Sequence, residues 1–177
     1  MKVLEVESLQ AGIENAVKDI DKMSEQLSAV QRAVRDFHSL DDALKGQGGE
    51  AIRSFYKDCH EPFLIYLHQS FIDYKTILNE MKEAIDSFEA NPSGYVKQEY
   101  LESDVEDGLD TVENTTVELT ADANSIIDSI SDLVAIKSID ESEVVDNVGR
   151  GKEKSAEVVE ELNILDDYST SRLEETK

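Results

Sequence analysis

"DALKGQGGEAIRSFYKDCHEPFLIYL", from Asp42 to Leu67, contains Gly46, Gly48 and Gly49, followed by more aromatic and aliphatic residues than one helix face can hold. Long patterns flank it on both sides. Upstream, apolar residues fall at Leu9, Ile13, Ala16, Ile20, Met23, Leu27, Val30, Val34 and Phe37, alternately four and three apart. That is a heptad seam. It predicts a helix from about Ser8 to about Asp42, roughly 50 Å long at 1.5 Å per residue. A rod of that length must pack lengthwise on another helix.

Downstream the partner is in place. Ile52, Tyr56, Cys59, Phe63, Tyr66, Ser70, Tyr74, Ile77, Met81, Ile85 and Phe88 keep a similar period, so a helix is expected from about Gly49 to about Ala90. "NPSG", Asn91 to Gly94, ends it with turn chemistry. Pro62 lies inside and removes one helical hydrogen bond, so a kink is expected there. The glycines then read as the reversal between two antiparallel helices. Gly46 suits a left-handed conformation after the first helix, with Leu44 tucked under the turn. Gly48 and Gly49 permit close backbone approach, and Glu50 favours a first helical turn.

A third seam runs Leu101, Val105, Leu109, Val112, Thr116, Leu119, Ala123, Ile126, Ile130, Leu133, and carboxylates crowd its polar faces. "SIDESE" follows as a loop in which Ser138 or Asp140 can cap the next helix. A weaker fourth seam runs Val145, Val148, Lys152, Ala156, Val159, Leu162, Leu165. Gly149 and Gly151 weaken its first turns, and the tail after Tyr168 is expected to fray. The expected fold class is all-α: elongated antiparallel helical hairpins with no sheet. Residues 1–91 form the first hairpin, and residues 92–177 form an acidic hairpin extending the same rod.

Composition narrows the function. Of 177 residues, 40 are Asp or Glu and 17 are Lys or Arg, for a net charge of −23. No basic face is available for phosphate contacts, which argues against nucleic acid, and anionic membranes are disfavoured for the same reason. No stretch approaches the ~18 apolar residues of a membrane span, so no membrane insertion is expected. Glu5 and Glu7 interrupt the N-terminus, which lacks the apolar run of a cleavable signal peptide. Cys59 is the only cysteine and falls on the seam as a small core hydrophobe. His60 and His68 stand eight residues apart, roughly 12 Å along a helix, too far to converge on a metal. His38 is expected to be solvated. "GQGG" lacks the lysine and the preceding strand of a phosphate loop. Carboxylate pairs occur everywhere and single out no acid–base site. Neither an enzyme nor a cofactor is expected.

Leu44-Lys45-Gly46 between two long helices, in a segment opening "MKVLEVESL" and continuing "GGEAIRSFYKDCHEPFL", resembles the Leu-x-Gly motif of LXG domains. The resemblance is most specific over about residues 1–88. It implies a hairpin related to the small WXG proteins, with Leu44 in place of the tryptophan. It also implies a function: an N-terminal trafficking domain of toxins that Gram-positive bacteria export through the type VII secretion machinery, assisted by small helical WXG-like chaperones. Such a protein is secreted after a cytoplasmic stage. Members of this family carry a C-terminal toxin domain, and none is expected within residues 1–177.

The excess apolar surface fits that implication. On a helical wheel Leu64 and Phe71 fall to one side of the second seam, and Ile65 and Ile72 fall opposite it. With Phe63 these residues are the expected partner-binding surface; cover by the third and fourth helices is the other reading. Type VII substrates resemble one another in a Tyr-x-x-x-Asp/Glu export signal after a hairpin. Tyr100 with Asp104 matches, as does Tyr95 with Glu99, although so acidic a chain produces one or two such pairs by chance. A second function class stays open: an acidic immunity or inhibitor protein that neutralises a basic partner through the third helix. Self-association of the helical surfaces is a further expectation.

Overall fold

The computed structural model describes residues 1–176. They form α1 (Val6–His38), α2 (Gly46–Phe55), α3 (Glu61–Phe88), α4 (Glu106–Ser129) and α5 (Ser142–Glu174), with two three-residue strands, β1 (Val3–Glu5) and β2 (Tyr95–Lys97). Two π turns, Tyr56–His60 and Tyr100–Val105, adjoin the starts of α3 and α4. The fold is all-α helical hairpins with one small sheet. The sheet corrects the expectation of none. The Gln98 N–H bonds the Lys2 carbonyl, and the Val6 N–H bonds the Gly94 carbonyl, so the strands run antiparallel. Three residues are too few for an alternating pattern to register in sequence.

The chain divides into two compact units, residues 5–94 with 167–177, and residues 1–4 with 95–166. In the first, α1 packs along α3. Side-chain rungs fix their register: Gln10 to Asp86 at 2.5 Å, Lys82 to Glu14 at 2.5 Å, Lys75 to Asp21 at 2.5 Å and Arg35 to Glu61 at 3.0 Å. The residue numbers of each rung add to 96, as an unslipped antiparallel pair requires. Lys82 hydrogen-bonds the Glu14 carboxyl and holds it below its ordinary value. Such exposed pairs set register more than they stabilise. Stability comes from the buried Ile13, Ile20, Leu27 and Val34 of α1 against Leu64, Ile77, Leu78, Met81 and Ile85 of α3.

The seam of α1 is rotated from the expected one. Every seventh residue from Val6 to Val34 is buried, but the second column is Gln10, Val17, Ser24 and Gln31, all half-buried or buried. Leu9, Met23 and Val30 stay exposed. Gln31 is only 8% exposed, and its amide donates to the Leu64 carbonyl at 2.8 Å. That bond removes the penalty for burying it.

The turn also differs in detail. Helix α1 stops at His38, four residues early: Ser39 leaves the helical region with ψ 1°, its Oγ donates to the Asp36 carbonyl at 2.9 Å, and the Leu40 N–H turns to the Phe37 carbonyl at 3.2 Å. Gly46 has φ +81°, yet it opens α2 and does not cap α1. A Cβ on Gly49 would lie 2.4 Å from the Leu44 carbonyl oxygen. The Leu-x-Gly backbone therefore sits directly on the first turn of α2. At Pro62 the expected irregularity is the π turn ahead of it, where the Glu61 N–H reaches back to Tyr56. Pro62 then stands in the first turn of α3, directly after the π turn, with helical backbone already preceding it. The end of α5 does not fray after Tyr168. It continues to Glu174, with Arg172 bonding Glu80 at 2.5 and 3.1 Å.

In the second unit Lys152 bridges from α5 to Asp110 at 2.6 Å and Glu113 at 3.2 Å of α4. The Ser155 hydroxyl donates to the Leu101 carbonyl. Gly151 is a packing glycine: its missing Cβ leaves room for Leu109, which would stand 3.2 Å away. Of the two candidate caps for α5, Asp140 takes the role, accepting from the Ser142 N–H at 2.9 Å. That bond holds the Asp140 carboxyl below its ordinary value. A depressed carboxylate stabilises the fold above its unfolded pKa, and the contribution fades as pH falls through the folded one. Asp140→Ala is therefore expected to melt below wild type at neutral pH. The gap should close in acid, below the ordinary carboxylate range. Thermal melts across that pH range check it; a gap that persists when Asp140 is protonated would show that the side chain acts by other means.

Candidate functional site

The expected partner face separates into two groups. Leu64 is 8% exposed and packs with Leu27 and Val34, while Phe71 lies half-buried against the same cluster with Tyr56 and Leu67. These two belong to the chain's own core, which corrects their expected place on the outside. Phe63 (59% exposed), Ile65 (51%) and Ile72 remain in solvent, joined by Tyr66. The physical cause is phase. Phe63 to Leu67 are apolar without a break, so composition defines no face. The intramolecular seam runs Tyr56, His60, Leu64, Leu67, Phe71, one residue later than the expected one, and its double four-residue step begins at the π turn.

The same shift exposes Cys59, which is not a core residue. Ile52 and Phe55 are exposed as well. The tip of the hairpin is ordered by rings: Phe37 meets Tyr56 edge-on at 4.7 Å, and Tyr56 stacks on His60 at 4.6 Å. His38 is not simply solvated, since its Nε2 lies 3.1 Å from Glu61 Oε2. Beside it a pocket is lined by His38, Ser39, Asp41, Glu50, Arg53 and Lys57. Arg53 pairs there with Asp41, and its Nε is buried with no hydrogen-bond partner among the described residues. The pocket mixes charges of both signs and defines no ligand. No group of three or more metal-ligating side chains converges among the described residues.

Tyr100 and Asp104 lie in the second π turn, Tyr100–Val105, and both are exposed, as are Tyr95 and Glu99. The two pairs differ locally: Tyr100 and Asp104 share one turn, whereas Tyr95 lies in β2 and Glu99 pairs with Lys97 at 2.8 Å. Two features escaped the sequence reading: the exposed column Leu9, Met23, Val30 on α1, and Val112, Leu119, Ile126 on α4. Both were placed on intramolecular seams. The available signal in α1 was the neighbouring polar column, Gln10, Ser24 and Gln31: the Gln31 amide reaches the Leu64 carbonyl and the Gln10 amide reaches Asp86, while the aliphatic column points out.

Comparison with known proteins gives this pattern a family. A model described as the LXG domain of the WXG superfamily matches residues 2–177. Toxin YxiD of Bacillus subtilis (strain 168) is 30% identical over 177 residues, which are 100% of this chain and 31% of that protein. The chain thus spans about a third of that relative's length. A family match over nearly every residue and a toxin relative aligned along the whole chain agree with the Leu44-Lys45-Gly46 turn between long helices: this chain belongs to the LXG domain family of the WXG superfamily.

Proposed function

We propose that this chain is the trafficking domain of a type VII-secreted toxin, and that it binds small helical WXG-like chaperones which bring it to the secretion machinery. It acts by docking and not by catalysis. The observation that carries this reading is the mismatch within the first hairpin: Gln31 is inside, while Leu9, Met23 and Val30 of α1 and Phe63, Ile65, Tyr66 and Ile72 of α3 are outside. A helix with more apolar columns than it has neighbours has room for another helix. Family membership and the toxin relative support the export role. Tyr100 and Asp104 are the proposed export determinant of this chain.

The test is co-purification with small helical proteins encoded beside this chain. Ile65→Glu/Ile72→Glu is expected to weaken capture by at least about a hundredfold, because each carboxylate would be buried without a counter-ion. Circular dichroism should show the variant as helical as wild type, since both residues point away from the core. Capture at wild-type strength by the folded variant would place the docking surface elsewhere.

A further inference from the structure

Val112, Leu119 and Ile126 of α4 are spaced by seven residues, and Leu133 continues the interval into the turn beyond the helix. All four are exposed, Leu119 at 64% and Leu133 at 82%. Thr116, Thr120 and Ile127 face inward in their place, Thr120 being buried and the others half-buried. The column drifts only about 20° per heptad, so it is a straight apolar strip. Within α4, from Val112 to Ile126, it is roughly 21 Å long at 1.5 Å per residue. The far end is ordered. The Asn124 amide grips the loop at two points, accepting from the Ile139 N–H at 2.8 Å and donating to the Ile139 carbonyl at 2.9 Å. The Leu133 and Val134 N–H groups both bond the Ile130 carbonyl. Val134, Ile136 and Ile139 are thus held exposed beside the strip's end.

Charge selects the occupant. Every charged residue of α4 is acidic: Glu106, Asp107, Asp110, Glu113, Glu118, Asp122 and Asp128. Lys152 pairs with both Asp110 and Glu113 on the inner side and offsets one of their two charges. Asp122 and Glu118 lie about 60° and 100° round the helix from Leu119, on the outer edge of the strip, and both are exposed. A second copy of this chain would set carboxylates against carboxylates. We infer that the α4 strip is a docking surface for a partner helix of at least two heptads, with an apolar seam and Lys or Arg on its flanks. Residues of α4 and the loop after it carry this assignment, whatever the role of the α3 face.

The test uses the full chain and two synthetic helices of three heptads. Both carry leucine at the seam, one with lysine at the flanks and the other with glutamate. Fluorescence anisotropy is expected to show that the lysine helix binds and the glutamate helix does not. Leu119→Ser/Ile126→Ser should weaken the lysine helix more than tenfold, and Ile65→Glu/Ile72→Glu should leave it unchanged. Equal binding to the Leu119/Ile126 variant would reduce the effect to diffuse attraction by a highly negative protein and overturn the inference. So would failure of the lysine helix to bind. Sedimentation that shows a wild-type dimer, dissociated by the same variant, would assign the strip to a second copy and overturn it equally. Capture of the small helical partner at wild-type strength by the Ile65→Glu/Ile72→Glu variant, with this binding retained, would sink only the proposed function.

Discussion

Alanine at Gly49 is expected to destabilise the chain by about 1–3 kcal/mol, the usual range for overpacking a fixed site, and more than alanine at Gly46 or Gly48. A Cβ there meets the Leu44 carbonyl oxygen at 2.4 Å and its carbon at 2.6 Å. These are backbone atoms that no rotamer change can move. Gly46 has open space around it, and only its φ of +81° resists a side chain; alanine there should cost about 1–2 kcal/mol for the left-handed backbone alone. Gly48 has neither constraint. Placed in α2, Gly48→Ala should stabilise by up to about 1 kcal/mol through helix propensity. Urea denaturation of the three variants gives the order directly. A Gly49 variant as stable as wild type would mean that the Leu44 carbonyl is not seated on α2. The Leu44 backbone occupies the volume that Gly49 leaves empty, so the tight reversal depends on Gly49 whatever the side chain at position 44.

Much of this fold was legible because the heptad signal repeats. One column of α1, Ile13, Ile20, Leu27 and Val34, was read correctly from spacing alone, since four branched aliphatics seven apart leave no other phase. The second column was not, because sequence reading assigns apolar residues to the inside. Here Gln31 is inside, its amide satisfied by the Leu64 carbonyl, and Val30 is outside. Spacing cannot register that exchange, because it depends on a backbone acceptor supplied by another helix. The same bias placed Val112, Leu119 and Ile126 on an intramolecular seam. The candidate docking surface was half legible. Ile65 and Ile72 oppose the core on any wheel, whereas Leu64 and Phe71 depended on the phase of a segment whose every residue is apolar. The cap of α5 was half readable: Ser138 and Asp140 both precede the helix, and only the bond from the Ser142 N–H selects Asp140.

That phase yields the sharpest contrast between adjacent residues. Leu64→Ala is expected to cost about 2–5 kcal/mol, the range for emptying a packed leucine site, while Phe63→Ala should stay within about 0.5 kcal/mol as an exposed substitution. By hydrophobicity alone the order would be reversed, since phenylalanine carries the larger apolar surface. Leu64 sits between Leu27 and Val34 with Phe71 and Tyr56 against it, so truncation leaves a cavity walled by two long helices that cannot close independently. Its carbonyl also receives Gln31, and movement of α3 into that cavity would strain the one bond that makes a buried glutamine tolerable. Phe63 loses contact mainly with water. Denaturation of the two variants separates the phases: a larger loss at Phe63 than at Leu64 would put the seam back at Cys59, Phe63 and Tyr66. The partner experiment should invert the ranking. Phe63→Ala, nearly silent in stability, is expected to weaken chaperone capture, because an exposed aromatic beside Ile65 and Tyr66 contributes mainly when another surface covers it. A residue that matters for binding and not for folding is the signature of a surface kept apolar for a partner.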